Sequence, residues 1–134
     1  MRRVVVARAD EIAPGERKIV DIGGRSVGVF NIGGEYFALR NRCPHQGGPL
    51  CAGLQFAPLR SSRPGEYERG NDADLIRCPW HGWEFEIKSG RSLVDPQRTR
   101  VRTYRAGVQE EPPGDAERYP ARREGAYVVV ELDR

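Results

Sequence analysis

The chain is short of several things that would have pointed elsewhere. No apolar stretch among its 134 residues approaches the length that spans a bilayer. The opening "MRRVVVARAD" carries two arginines, but its apolar run breaks at Arg8 and Asp10, too soon for the core of a secretory signal. We therefore read that segment as a first strand, and expect a soluble, cytoplasmic protein with no membrane partner. Lysine is nearly absent, with Lys18 and Lys88 the only two, and the formal net charge is just +3. No basic run is interleaved with aromatic residues, so nothing points to a nucleic-acid partner. Amphipathic helix patterns are scarce as well. Cysteine is limited to Cys43, Cys51 and Cys78. An odd number without an export signal argues against a disulfide framework and for ligands or a free thiol. Histidine is scarcer still: His45 and His81 are the whole supply.

Glycine and proline, by contrast, are plentiful, at 16 and 10 residues. They punctuate short segments with strand character. "RKIVDI" and "RSVGVFN" flank Gly23-Gly24, and "RSVGVFN" and "EYFALR" flank Gly33-Gly34, which predicts two successive hairpins. "LIRC" and "WEFEI" flank a Pro/Gly turn, and Ser89-Gly90 turns the chain after the second of them. "RVRTYRAGVQ" and "AYVVVEL" complete the set, joined by the polar "EEPPGDAERYPARREG". The pattern predicts an all-β fold, an antiparallel sandwich or small barrel forming one domain over residues 1–134. The arginine-rich "RSLVDPQRTRVRTYR" reads as a solvated surface that includes one face of a strand.

Both histidines sit just behind a cysteine. "NRCPHQGGPLCAG" gives Cys43-Pro44-His45, and "RCPWHGWEF" gives Cys78-Pro79-Trp80-His81. Each Cys-Pro element thus supplies one thiolate and one imidazole. Structural zinc is a serious rival for two cysteines and two histidines. Zinc sites, however, usually take cysteines as one pair and histidines as another, whereas here each loop carries one of each. The ligands can then divide by type, both sulfurs on one iron and both nitrogens on a second.

"CPHQGG" and "CPWHGW" resemble the two ligand loops of the Rieske [2Fe–2S] family. Glycines follow both histidines, Pro49-Leu50 closes the first loop, and "WEFEIKSGRSL" is similar to the strand and turn after the second. The resemblance covers most of residues 3–106 and the closing "AYVVVEL". It implies a Rieske-like fold with the two cluster-binding loops projecting from one end as hairpin tips. It also implies one [2Fe–2S] cluster per chain, held by Cys43, His45, Cys78 and His81. The spacer from Gln46 to Arg77 departs from the family and is about twice the expected length. Its surplus, at about residues 55–74, reads as a polar loop insertion, an inert surface loop first and a docking element second.

Imidazole in place of two thiolates leaves the oxidised cluster neutral, and a less negative cluster accepts an electron more readily. The resemblance implies that the histidine iron takes the electron and lies near the surface. Gly47, Gly48 and Gly82 permit tight turns and positive φ, and free backbone N–H groups to point at sulfur. Respiratory members carry a further cysteine in each loop, joined as a disulfide, and a serine and a tyrosine that donate toward the cluster. Here Gly48 and Trp80 stand at the disulfide positions, Trp83 at the serine and Phe85 at the tyrosine. That places the potential at the low end of the Rieske range, about −150 mV. Pro96 is a candidate for a third loop shielding the cluster, although a plain turn explains it nearly as well. Cys51 falls outside the ligand pattern and reads as a small buried hydrophobe, with a redox-active thiol as the alternative.

The resemblance implies a one-electron carrier between a flavin-dependent reductase and a terminal oxygenase. With every histidine committed, the chain cannot also build a two-histidine, one-carboxylate iron site, so it is not expected to be an enzyme by itself. Three other readings stand beside this one. They are a small electron-relay subunit of a nitrite reductase-like or oxygenase complex, a cluster-based sensor, and a structural zinc domain.

Overall fold

A computed structural model describes residues 2–57, 59–63, 66–69, 73–109 and 126–132. Its strands in chain order are Arg2–Arg8 (β1), Arg17–Ile22 (β2), Arg25–Ile32 (β3), Glu35–Arg40 (β4), Leu54–Phe56 (β5), Leu59–Arg63 (β6), Glu66–Arg69 (β7), Leu75–Arg77 (β8), Glu84–Glu86 (β9), Thr103–Gln109 (β10) and Tyr127–Leu132 (β11). Among the described residues there is no α-helix, only short 3-10 turns at Ala9–Glu11 and Leu50–Ala52. The expected all-β fold is the one observed. Among the same residues no helix is long and apolar enough to cross a membrane.

The chain divides into two compact units, Met1–Ala38 with Tyr104–Arg134, and Leu39–Thr103. The first carries a six-stranded sheet in the order β1-β11-β10-β4-β3-β2. The forecast glycine hairpins are present. β2 pairs antiparallel with β3 in the register Ile22↔Arg25, and β3 is hydrogen-bonded in turn to β4. Gly23 and Gly24 have φ of 59° and 87°, and Gly33 and Gly34 have 62° and 93°. Two successive positive φ values match the right-handed strand twist and exclude most side chains. The same seal closes each turn: Asp21 Oδ1 accepts from the Gly24 N–H, and Asn31 Oδ1 from the Gly34 N–H, both at 2.9 Å.

β3 and β11 lie inside the sheet order and are buried along most of their length, as near-continuous apolar runs should be. At the β2 edge the pattern alternates instead, with Ile22 turned in and Ile19 and Asp21 out. Ile22, Val27, Val29, Val128, Val130 and Leu132 pack in one apolar cluster. One polar side chain is buried beside this sheet. Asn31, 3% exposed, donates through Nδ2 to the Ile12 carbonyl at 2.8 Å. The Tyr36 hydroxyl reaches the carbonyls of Ala9 and Ile12 at 3.0 and 3.2 Å, so two side chains pin the connection that leads into β2.

The second unit holds a three-stranded sheet, β5-β8-β9, antiparallel in both pairs. Ile76 and Phe85 face one another across it, and both are fully buried. The stretch expected as a loop insertion, about 55–74, is more structured than its lack of hydrophobic period suggested. β5 ends inside it, and β6 and β7 pair antiparallel with an irregularity between Arg60 and Arg63. Backbone pairing needs no apolar alternation, which is why the pattern did not show it. The other residues of that stretch, 58, 64–65 and 70–72, lie outside the described residues, as does the polar connector 110–125. In the arginine-rich segment Arg91, Arg98, Arg100, Arg102 and Arg105 are exposed, while Ser92, Val101 and Tyr104 turn inward.

Replacing Asn31 with alanine removes the buried bond from Nδ2 to the Ile12 carbonyl and the bond from the Gly34 N–H to Oδ1. Because the Tyr36 hydroxyl still reaches the Ile12 carbonyl and Gly34 is open to water, Asn31→Ala should lower the unfolding free energy by about 1 kcal/mol, read as a shift in the urea midpoint at unchanged slope.

Candidate metal centre

The two Cys-Pro loops arrive by different routes. Residues 78–83 form the tip of the hairpin between β8 and β9, whereas residues 43–48 connect β4 to the 3-10 turn before β5. Their backbones nevertheless close alike. In the first, the Cys43 N–H donates to the Gly48 carbonyl at 2.8 Å and the Gly47 N–H to the Cys43 carbonyl at 2.7 Å. In the second, the Cys78 N–H donates to the Trp83 carbonyl at 2.7 Å and the Gly82 N–H to the Cys78 carbonyl at 3.0 Å. Gly47 and Gly82 hold φ of 77° and 74° at equivalent points. The turns are thus two copies of one device, although their Cys–His spacings differ by a residue. A Cβ at either glycine would be strained, as the sequence suggested.

Both loops turn the cysteine inward and the histidine outward. Cys43 and Cys78 are each 2% exposed, and their thiols are neighbours. His45 and His81 are exposed, their rings edge to face with centroids 5.1 Å apart. Burial pushes the Cys43 thiol above its ordinary pKa, and the adjacent Cys78 raises it further. The backbone N–H groups of His45 and Gln46 point at the same sulfur and oppose that rise. Amides aimed at a sulfur are what a thiolate needs once its proton leaves.

Gly48 departs from the expected role. Its φ is not positive; what it supplies is room. A Cβ there would sit 2.8 Å from two atoms of the Trp80 ring and 3.1 Å from Cys78 Sγ. Trp80, 57% exposed, therefore packs its ring close to a bare stretch of backbone in the first loop. A second contact between loops was not legible in the sequence: the Trp83 ring stacks on His45, centroids 4.3 Å apart and planes 15° from parallel. Nothing local to "HGWEF" signals it, because its partner stands in the other loop. At the base of the β8–β9 hairpin Arg77 places Nε and Nη2 on Glu84 Oε2, at 3.0 and 2.6 Å. The pair is half-exposed, so it orients the hairpin more than it stabilises it, at about 0.5 kcal/mol.

Cys51 is fully buried, its thiol directed at the carbonyls of Leu39 and Arg40 at 3.7 and 3.8 Å. Asn41 Oδ1 accepts from its backbone N–H at 2.7 Å. That is the environment of a small buried hydrophobe. Pro96 lies exposed in a turn closed by the N–H groups of Arg98 and Thr99 on the Asp95 carbonyl. Phe85, at the tyrosine position, is fully buried behind the second loop.

Among the described residues no three His, Cys, Asp or Glu side chains converge as a single ion would require. A two-iron cluster asks for less at each metal: one pair of sulfurs and one pair of nitrogens. Two inward thiols side by side and two outward imidazoles side by side fit that demand.

Comparison with known proteins agrees with this geometry. Residues 2–105 match the family model described as Rieske [2Fe-2S] domain. A human Rieske domain-containing protein is 33% identical over 90 residues, 67% of this chain and 50% of its own length. This chain thus spans half the length of that relative. The biphenyl dioxygenase ferredoxin subunit of Pseudomonas sp. (strain KKS102) is 27% identical over 125 residues, 93% of this chain and 87% of the subunit. Among solved structures, the ferredoxin of carbazole 1,9a-dioxygenase from Nocardioides aromaticivorans IC177 superposes with a TM-score of 0.66 at 23% identity. It covers 99% of this chain and 100% of that one.

The packing of Trp80 on Gly48 is open to a double-substitution test. Gly48→Ala forces the ring away from the first loop and should shorten the lifetime of bound iron and sulfide about tenfold, followed by bleaching of the visible absorbance. Adding Trp80→Ala to the same chain removes the clash with the ring, leaving only the tight approach to Cys78 Sγ, and should recover part of that lifetime.

Proposed function

As a member of the Rieske [2Fe–2S] domain family the chain has a Rieske-type cluster, not structural zinc, as its cofactor, and from that premise we propose that it works as a small one-electron carrier. Cys43 and Cys78 hold one iron through sulfur, and His45 and His81 hold the other through nitrogen. The cluster supplies a single electron at a potential set by this mixed ligation. The observation that carries the reading is the asymmetry of the site: thiols buried at 2% exposure, imidazoles exposed at the surface. Such a site shields its sulfide side from water and presents its accepting side to a partner.

The residues around the donors support the low-potential branch. Trp83 and Phe85 stand where hydroxyl donors would otherwise withdraw charge from the cluster, and neither side chain can donate an O–H. Backbone N–H groups from His45 and Gln46 remain as donors to one sulfur. Both histidines of the chain are used in the loops, so these residues cannot also build a two-histidine, one-carboxylate iron site, and we read the chain as a carrier and not as an enzyme by itself. Its relatives include ferredoxin subunits of dioxygenases. By that kinship the chain receives electrons from a flavin-dependent reductase and passes them to a terminal oxygenase in the cytoplasm.

A potentiometric titration followed by electron paramagnetic resonance tests this directly. A Rieske-type signal should appear on reduction, with a midpoint near −150 mV. A colourless protein that binds zinc and shows no signal would sink the proposal. The ligand roles are tested one by one: Cys78→Ser and His81→Ala should each abolish the signal, while Cys51→Ala should leave it intact. His81→Cys, if it retains iron, should move the midpoint down toward the value of all-thiolate clusters, about −400 mV.

A further inference from the structure

Beside the first ligand loop runs a concavity of about 440 Å³ whose rim is unusual in charge. Arg40, Arg42, Arg100 and Arg102 line it together with Cys43 and His45, and no carboxylate lines it. The backbone forces this crowding. The Arg40 N–H donates to the Arg102 carbonyl at 2.9 Å, which sets two of the four arginines on paired backbone. Cations brought this close across paired segments repel one another. Among the described residues no ion pair takes up Arg40, Arg42 or Arg100, whereas Arg77 of the same unit lies on Glu84 at 2.6 Å. Beside an exposed histidine, such a rim is a positively charged border suited to an acidic surface. Guanidinium groups meet carboxylates in bidentate fashion, and the nearby Trp80, exposed over more than half its surface, adds the other residue type that anchors protein interfaces.

We propose that this arginine-lined concavity is the docking surface for a redox partner that presents carboxylates around its own electron-transfer group and seats over His45. The inference rests on the carrier reading above and specifies the chemistry of the partner. In the docked pair one electron leaves the reduced chain and one acceptor centre gains it; no proton or bond need move. The rim raises the rate of encounter with an acidic face by long-range attraction, an effect that salt suppresses.

The test needs two protein acceptors of the same fold and opposite charge. Native cytochrome c rings its haem edge with lysines, and cytochrome c succinylated at those lysines presents carboxylates there. Chemically reduced holoprotein is mixed with each in a stopped-flow instrument over a range of salt. The succinylated form should be reduced about tenfold faster at low salt, with the advantage fading as salt rises. Arg40→Glu and Arg100→Glu should each remove most of that advantage while leaving the visible spectrum unchanged. Lys88 lies beyond the end of β9 remote from the second loop, so Lys88→Glu makes the same change in net charge away from the rim and should preserve the advantage. Faster reduction of native cytochrome c would overturn the assignment. So would a loss in Lys88→Glu as large as that in the rim variants, since net charge alone would then explain the rates. A holoprotein that reduces neither acceptor removes the carrier reading, and the docking assignment goes with it.

Discussion

A cluster held by Cys43, His45, Cys78 and His81, as proposed, needs two sulfurs kept dry and two imidazoles wet, supplied by loops far apart in the chain that no disulfide joins. Much of the second unit follows from this requirement. Each loop bends through the same pair of backbone hydrogen bonds, which drop the cysteine below the surface and lift the histidine above it. Since no disulfide spans Gly48 and Trp80, the loops are coupled through aromatic surface instead: one indole on a bare glycine, another on the first histidine. Such contacts tolerate small shifts that a covalent bridge would not.

The first unit is conventional by comparison. A six-stranded sheet, with β3 and β11 buried along most of their length, carries an apolar cluster, and its hairpin turns repeat one chemistry, a pair of glycines sealed by an Asp or Asn side-chain oxygen. β8 and β9 then present the second loop much as a hairpin presents its turn, with Arg77 and Glu84 bracing its base.

Legibility in the sequence tracked the range of the interaction. The hairpins at Gly23-Gly24 and Gly33-Gly34 could be read because two adjacent glycines declare two adjacent positive φ values. The ligand candidates could be read because Cys43 with His45, and Cys78 with His81, are local pairs in a chain holding no other histidine. For Gly48 the sequence suggests backbone freedom where the structure shows clearance, because the ring that needs the space arrives from another region of the chain. The stacking of Trp83 on His45 and the gathering of Arg40 with Arg100 and Arg102 were hidden for the same cause. Strands β6 and β7 escaped notice because backbone pairing alone leaves no apolar rhythm to detect.

The distribution of tryptophan has a practical corollary. The chain contains just two, Trp80 and Trp83, and both stand on the second ligand loop against groups of the first. Tryptophan fluorescence, excited where tyrosine does not absorb, therefore carries almost no background from the rest of the chain. Emission from this protein is in effect a built-in gauge of whether the two loops are together and of what lies between them.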